Sequence, residues 1–229
     1  MKIRKYALAA LSVLIIVALF ACKTGPKVVI KELENKGSAM NISTPDWIKT
    51  YTSSGITKLQ SQSEYRDKYC IIGEETGVNK QFVLAWADNF SAQQRIGAML
   101  RTNIASNYNA RVKGVAQSTG VADSSISAGT GSYQQEIDNV ISAVVNVSYS
   151  GAQREADWWS LRRRYDPDQT EVYTDEYIAY VLYTIPKSQL NEQVAKALET
   201  SVSKDSALYD ITIAMARQIL VEGMGSWGE

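Results

Sequence analysis

Histidine is missing from all 229 residues. Without an imidazole there is no Ser-His-Asp or Cys-His relay to activate a nucleophile, and no histidine-ligated zinc or haem. Cysteine is nearly as scarce, with Cys22 and Cys70 alone, too few for a metal cluster or a disulfide framework. Charge of one sign does not dominate either. The 24 Lys+Arg equal the 24 Asp+Glu, and no basic patch is large enough to suggest nucleic acid as the main partner. Carboxylate catalysis needs two acids facing one cleft. Here they are scattered, and the adjacent pairs Glu74-Glu75 and Asp175-Glu176 read as solvated turn residues. These shortages predict a protein that is not an enzyme, with no catalytic residues, no cofactor and no metal.

The one long apolar run is at the start. Lys2, Arg4 and Lys5 precede the uncharged stretch Ala7 to Phe20, which has the length of a signal-peptide h-region. Leu19-Phe20-Ala21-Cys22 closes it, with a small residue just before a cysteine, the pattern of a lipobox. A spanning helix needs about 20 apolar residues; this run is shorter and is followed by Lys23-Thr24-Gly25-Pro26. An ordinary cleaved signal, ending in a small residue such as Ala21, is the other alternative. The lipobox reading makes residues 1–21 a lipoprotein signal peptide cut after Ala21, and Cys22 the lipidated first residue. One buried acyl chain anchors only reversibly and two or more anchor stably, so a triacylated Cys22 needs no help from the fold.

Removing residues 1–21 takes away Lys2, Arg4 and Lys5 and no acid, leaving a mildly acidic mature chain at about −3. Its length suits one domain. Residues 22–43, with Gly25-Pro26, Val28-Val29-Ile30 and the mixed run Lys31-Glu32-Leu33-Glu34-Asn35-Lys36, read as a flexible tether. Val28 to Ile30 as a short edge strand is the alternative. The folded domain then spans 44–229. Pro45 opens it, and Trp47 either plugs one end of the core or stacks on a ligand.

Lys68 to Gly73 has strand composition and holds Cys70, read as a buried, inert thiol. After a turn at Glu74 to Asn79, Asn79 is placed to cap a helix from Lys80 to about Lys113. Phe82, Trp86, Asn89, Phe90, Gln93, Ile96, Met99, Leu100 and Ile104 recur there at steps of three and four, which makes Trp86 and Phe90 core residues before a binding box. Gly114 to Ser132, rich in Gly, Ser, Thr and Ala, predicts a mobile loop or weak hairpin. Gln134 to Ser148 returns to helix. Two strands follow, Ala152 to Arg164 and Glu176 to Pro186, joined across Asp166-Pro167-Asp168-Gln169. The second is apolar on both faces and is expected at the centre of the sheet. Ser188 to Thr200 and Asp205 to Glu222 are amphipathic helices. The order predicts an α+β fold, an antiparallel sheet of about three strands packed against a long helix, with additional C-terminal helices.

Trp158 and Trp159 followed by Arg162 and Arg164 form the candidate partner-binding patch. On a strand the two indoles point to opposite faces, so one can be core while the other meets a partner. The arginines either hold an acidic surface, a phosphate-bearing head group or a glycan, or they stack on tyrosines and pair with Glu171 or Asp175.

A lipobox, Pro45-Asp46-Trp47, a short strand ending at Gly73, an Ala-rich helix with Arg95, and a late strand ending in Tyr183-Thr184-Ile185-Pro186 together span most of the mature chain. This combination resembles the twenty-kilodalton bacterial outer-membrane lipoprotein family (Lpp-twenty type). The resemblance implies a dodecin-like sheet around a long helix, a cell-envelope location, and membership of a family that includes flagellar outer-membrane components. The function expected is a non-catalytic binding or assembly role in the outer membrane. Partners would be the membrane itself through lipidated Cys22, and envelope proteins or further copies of the chain. The alternative is a small-molecule or glycan-binding lipoprotein that uses the Trp/Arg patch.

Overall fold

The computed structural model describes residues 28–118, 123–146, 150–206 and 208–224, the side chains of 90–93 and 112–133 excepted. Four strands form one antiparallel sheet: β1 (Val29–Asn35), β2 (Lys68–Gly77), β3 (Gln153–Asp166) and β4 (Gln169–Pro186), in the order β1-β3-β4-β2. The fold is α+β as its alternating patterns predict, with four strands rather than about three. The additional strand is β1, in the stretch that reads as tether. Its pairing with β3 runs from Val29 opposite Tyr165 to Asn35 opposite Ser160, with an irregularity between Glu32 and Glu34. β1 is stabilised by this ladder and not by burial, so it carries no apolar period. Its mixed charges and bulge are the devices by which an edge strand resists uncontrolled pairing. Gly37 ends it, because a Cβ there would lie 2.0 Å from the Ile42 carbonyl oxygen as the chain turns back.

β4 lies between β3 and β2 and from Ile178 to Ile185 is largely buried on both faces. Ile178, Tyr180 and Leu182 point to one side, where α1 (Asp46–Gln60) brings Trp47, Ile48 and Leu59. Trp47 is the core plug. α1 starts after extended Pro45 and kinks at Gly55, whose φ of 78° is strained for any residue with a Cβ. The Gln60 side chain accepts from the Cys70 amide at 3.0 Å and so satisfies one outward N–H of edge strand β2.

The other face carries α2 (Lys80–Trp86), α3 (Ala92–Ser118), α4 (Asp123–Val145), α5 (Lys187–Ser201) and α6 (Tyr209–Glu222). Small Ala179 and Val181 let Val83 and Ala87 approach the sheet. Leu100, Ile104 and Tyr108 of α3 meet Ile137, Val140, Ile141 and Val144 of α4, and all pack with Leu190, Val194, Leu198 and Met215. As expected, Asn79 caps α2, its Oδ1 accepting from the Phe82 amide at 3.0 Å.

Two expectations on this face are corrected. The segment from Lys80 is not one regular helix, since a π turn at Ala87–Ser91 separates α2 from α3. A π turn inserts a residue and rotates what precedes it by about one position, so Val83 and Ala87 face inward in place of Phe82 and Trp86. Residues 114–118 and 123–132 are helical, not a loop or hairpin. The well-packed parts of α3 and α4 nucleate each helix, and propagation adds one hydrogen bond per residue at little further cost.

Candidate functional site

Trp158 and Trp159 point to opposite faces, as strand geometry requires. Trp158 is 4 % exposed, opposite Tyr180 in the layer beneath α1. It is a core residue, and its place in the partner-binding set is withdrawn. Trp159 is half-buried, with the Lys80 ammonium 4.2 Å from its ring centre and Tyr177 edge-on at 6.0 Å. Arg162 and Arg164 share the Trp158 face. Arg162 Nη2 donates to Glu176 at 3.4 Å, while its buried Nε has no hydrogen-bond partner among the described residues. Arg164 is exposed. Arg163, on the opposite face, forks onto Asp175 with two bonds of 2.7 Å and lies 3.7 Å over the Tyr173 ring. Tyrosine stacking and carboxylate pairing are thus realised by Arg163, and carboxylate pairing by Arg162. Ala21 and Cys22 lie outside the described residues.

These arginines belong to a larger feature. β2 ends where Gly77 meets Tyr177, whereas β4 begins at Gln169. The residues from Gln169 to Glu176, with the matching parts of β3 and β1, continue as a three-stranded ribbon roughly 25 Å beyond the four-stranded sheet at 3.3 Å per residue. One cross-strand row is Val29, Tyr165 and Tyr173. At this end Val28, Val29, Ile30, Val172 and Tyr173 are 37–69 % exposed. Nearby charges are of both signs: Lys31, Arg164, Asp166, Asp168 and Glu171. The Asp166 carboxylate closes the hairpin turn by accepting from the Asp168 amide at 2.9 Å. Sequence reasoning leaves Val172 and Tyr173 unassigned between a turn and a strand; two bulky residues beside a polar turn are the available signal.

A second exposed apolar surface lies on α2, where Phe82 and Trp86 stack at 5.3 Å and are 57 % and 39 % exposed. Trp86 is therefore not the core residue expected from a straight helix.

The base of the ribbon is fixed by charge. Lys36 Nζ donates to Asp157, Arg154 lies 3.4 Å from Asp157 and 3.0 Å from Asp88, and the Tyr183 hydroxyl donates to Asp88. Burial pushes the Asp157 carboxyl up, but Lys36 and Arg154 outweigh it and hold the group below its ordinary value. A depressed carboxyl contributes stability that is complete above the unfolded pKa of about 3.9 and is lost as pH falls through the folded value. Asp157→Asn is expected to speed exchange of the Lys36 amide, which donates to the Trp159 carbonyl, about two- to fivefold at pH 7, the size of a half-exposed pair. Expressed as protection relative to the intrinsic exchange rate at the same pH, wild type should fall to the level of the variant only below about pH 4. Equal rates at pH 7 would show that the pair does not secure β1.

Neither acidic pair is in a turn. Glu74 accepts from the Tyr51 hydroxyl at 2.9 Å and lies 3.7 Å from Arg95, while Asp175 and Glu176 are engaged by Arg163 and Arg162. Burial pushes the Cys70 thiol up to about 12, which makes it inert at neutral pH. A cavity of about 200 Å³ at the other end of the sheet is lined by Asn107, Met215, Gln218, Ile219, Glu222, Gly223 and Met224. It presents no indole and no guanidinium. Among the described residues no group of three or more Cys, Asp or Glu side chains is placed to hold a metal ion.

No protein-family model matches the chain, and no curated protein or solved structure matches it significantly.

Proposed function

We propose that this chain is a lipid-anchored component of a bacterial cell envelope, in the outer membrane, whose domain has a non-catalytic binding or assembly role. The observation that carries the reading is Cys22 at the end of the Ala7 to Phe20 run, preceded by Leu19-Phe20-Ala21 and a basic start. Among the described residues no helix is long and apolar enough to cross a membrane; the reading assigns attachment to acyl chains at Cys22 on the lipobox alone. Assembly is favoured over small-molecule binding because the exposed Phe82–Trp86 stack lies on an open helix surface. The Trp/Arg alternative would have to rest on Trp159, since Trp158 is interior.

A dodecin-like core is part of the same proposal. It is supported by the β2-helices-β3-β4 succession, the antiparallel order β3-β4-β2, and the packing of Leu100 and Ile104 on residues of that sheet. The four-residue family motif Tyr183 to Pro186 ends β4 at the start of α5.

Cys22→Ala tests the anchor. In cells that lipidate their lipoproteins, the variant is expected to lose metabolic palmitate label and to leave the detergent phase on partition. Label and partition equal to wild type would show that Cys22 is not the anchor.

A further inference from the structure

We infer that the projecting end of the β1-β3-β4 ribbon rests on the lipid surface to which the chain is anchored, through Val28, Val29, Ile30, Val172 and Tyr173. The inference rests on acylation at Cys22 and says which part of the domain then meets the bilayer. Six peptide steps separate Cys22 from Val28, and six residues reach at most about 20 Å when fully extended. Val28 precedes β1 at the end where Val29 pairs with Tyr165 and Tyr165 with Tyr173. The chain therefore leaves the anchor and joins the fold at the ribbon end, beside its exposed residues.

The chemistry of that end suits an interface between water and hydrocarbon. Val28, Ile30 and Val172 are 49 %, 54 % and 69 % exposed, and Tyr173, one ring face of which is covered by Arg163, is 50 % exposed. Tyrosine is favoured at membrane boundaries because its ring takes the apolar side and its hydroxyl the wet side. Lys31 and Arg164 are offset by Asp166, Asp168 and Glu171, while Lys23 and Lys27 lie between Cys22 and Val28, so apolar area carries the contact and anionic lipid adds to it. The far end of the sheet is placed differently: Ile185 lies some 40 Å along β4 from Tyr173 at the strand rise. Exposed Val221, on the helix that ends at the Asn191 and Tyr69 side, serves as a reference there.

The test uses the acylated full-length chain, purified from membranes and reconstituted into phosphatidylcholine vesicles with or without brominated acyl chains. Val172→Cys carries an environment-sensitive fluorophore, and Val221→Cys is the matched control; Cys22 is acylated and Cys70 is 0 % exposed. Both substitutions are at exposed positions, and near-native circular dichroism confirms folding. Bromolipid is expected to quench the Val172 label at least twofold and to leave the Val221 label unchanged, in neutral and in anionic vesicles alike. Absence of quenching at Val172, on chains that still float with vesicles and carry palmitate, overturns the inference and leaves the anchor intact. A fluorescence shift that is the same in both lipids marks contact with another copy and also overturns it. Chains without palmitate that do not float would remove both the anchor and the docking.

Discussion

Trp158→Ala is expected to cost about 3–5 kcal/mol in denaturant unfolding, and Trp86→Ala less than about 1 kcal/mol. Trp158 is 4 % exposed and packs with Trp47, Ile48, Leu59 and Ile178 between the sheet and α1. Removing the indole opens a cavity between two rigid elements that cannot close over it. Trp86 keeps 39 % of its surface in water and stacks on Phe82 on the same helix face, so truncation opens a site that solvent can fill. The pair of values separates the two accounts of the Lys80–Ser118 segment. A regular helix makes Trp86 the costly position, whereas a π turn makes it cheap. A loss of 3 kcal/mol or more at Trp86 would contradict the fold.

A second large effect is expected at the contact of α3 with α6. Tyr108 and Thr212 are both 0 % exposed. Thr212 Oγ1 donates to the Leu208 carbonyl at 2.8 Å, which leaves it as the acceptor for the Tyr108 hydroxyl. Burial raises the Tyr108 hydroxyl while Thr212 opposes the rise. Thr212→Val strands a buried donor and is expected to cost about 1–3 kcal/mol. Adding Tyr108→Phe removes that donor, and the double variant should recover at least half of the loss, since replacing both partners of a buried bond is far milder than replacing one. Strict additivity of the two losses in a double-mutant cycle would show that the hydroxyls do not act as a pair.

Much of the architecture is legible in the residues because it is written in burial. Tyr177 to Ile185 is apolar at consecutive positions, which places β4 at the centre; Asn79 stands where a helix start needs an acceptor; Leu190, Val194 and Leu198 share one helix face. The misreadings have physical causes. β1 is an edge strand with solvent on both faces, so Lys31-Glu32-Leu33-Glu34 resembles a tether although its backbone is paired. α1 contains Thr50, Thr52, Ser53, Ser54 and Gly55, poor helix formers, and is retained because Trp47, Ile48 and Leu59 are buried against the sheet. The α2 register fails because periodicity extrapolated backwards from Leu100 and Ile104 cannot cross a π turn.

The candidate site divides in the same way. Opposite facing of Trp158 and Trp159 follows from strand geometry alone. Which indole is interior depends on α1, a helix not evident in the sequence. The basic run at Arg162 to Arg164 stands out by composition, yet its function is local: two of the three arginines pair with Glu176 and Asp175 on the neighbouring strand. The exposed residues at the ribbon end come from separate segments, Val28 to Ile30 and Val172-Tyr173, and only the β1-β3-β4 pairing brings them together.

Attachment through one sulfur remains the claim on which location and role depend. Its most direct measurement is the intact mass and N-terminal peptide of the mature chain isolated from envelopes. The account predicts a chain beginning at Cys22 and carrying a diacylglyceryl thioether with an amide-linked acyl group. A mature chain with an unmodified Cys22, or one that retains Met1 and fractionates free of membranes, would contradict it.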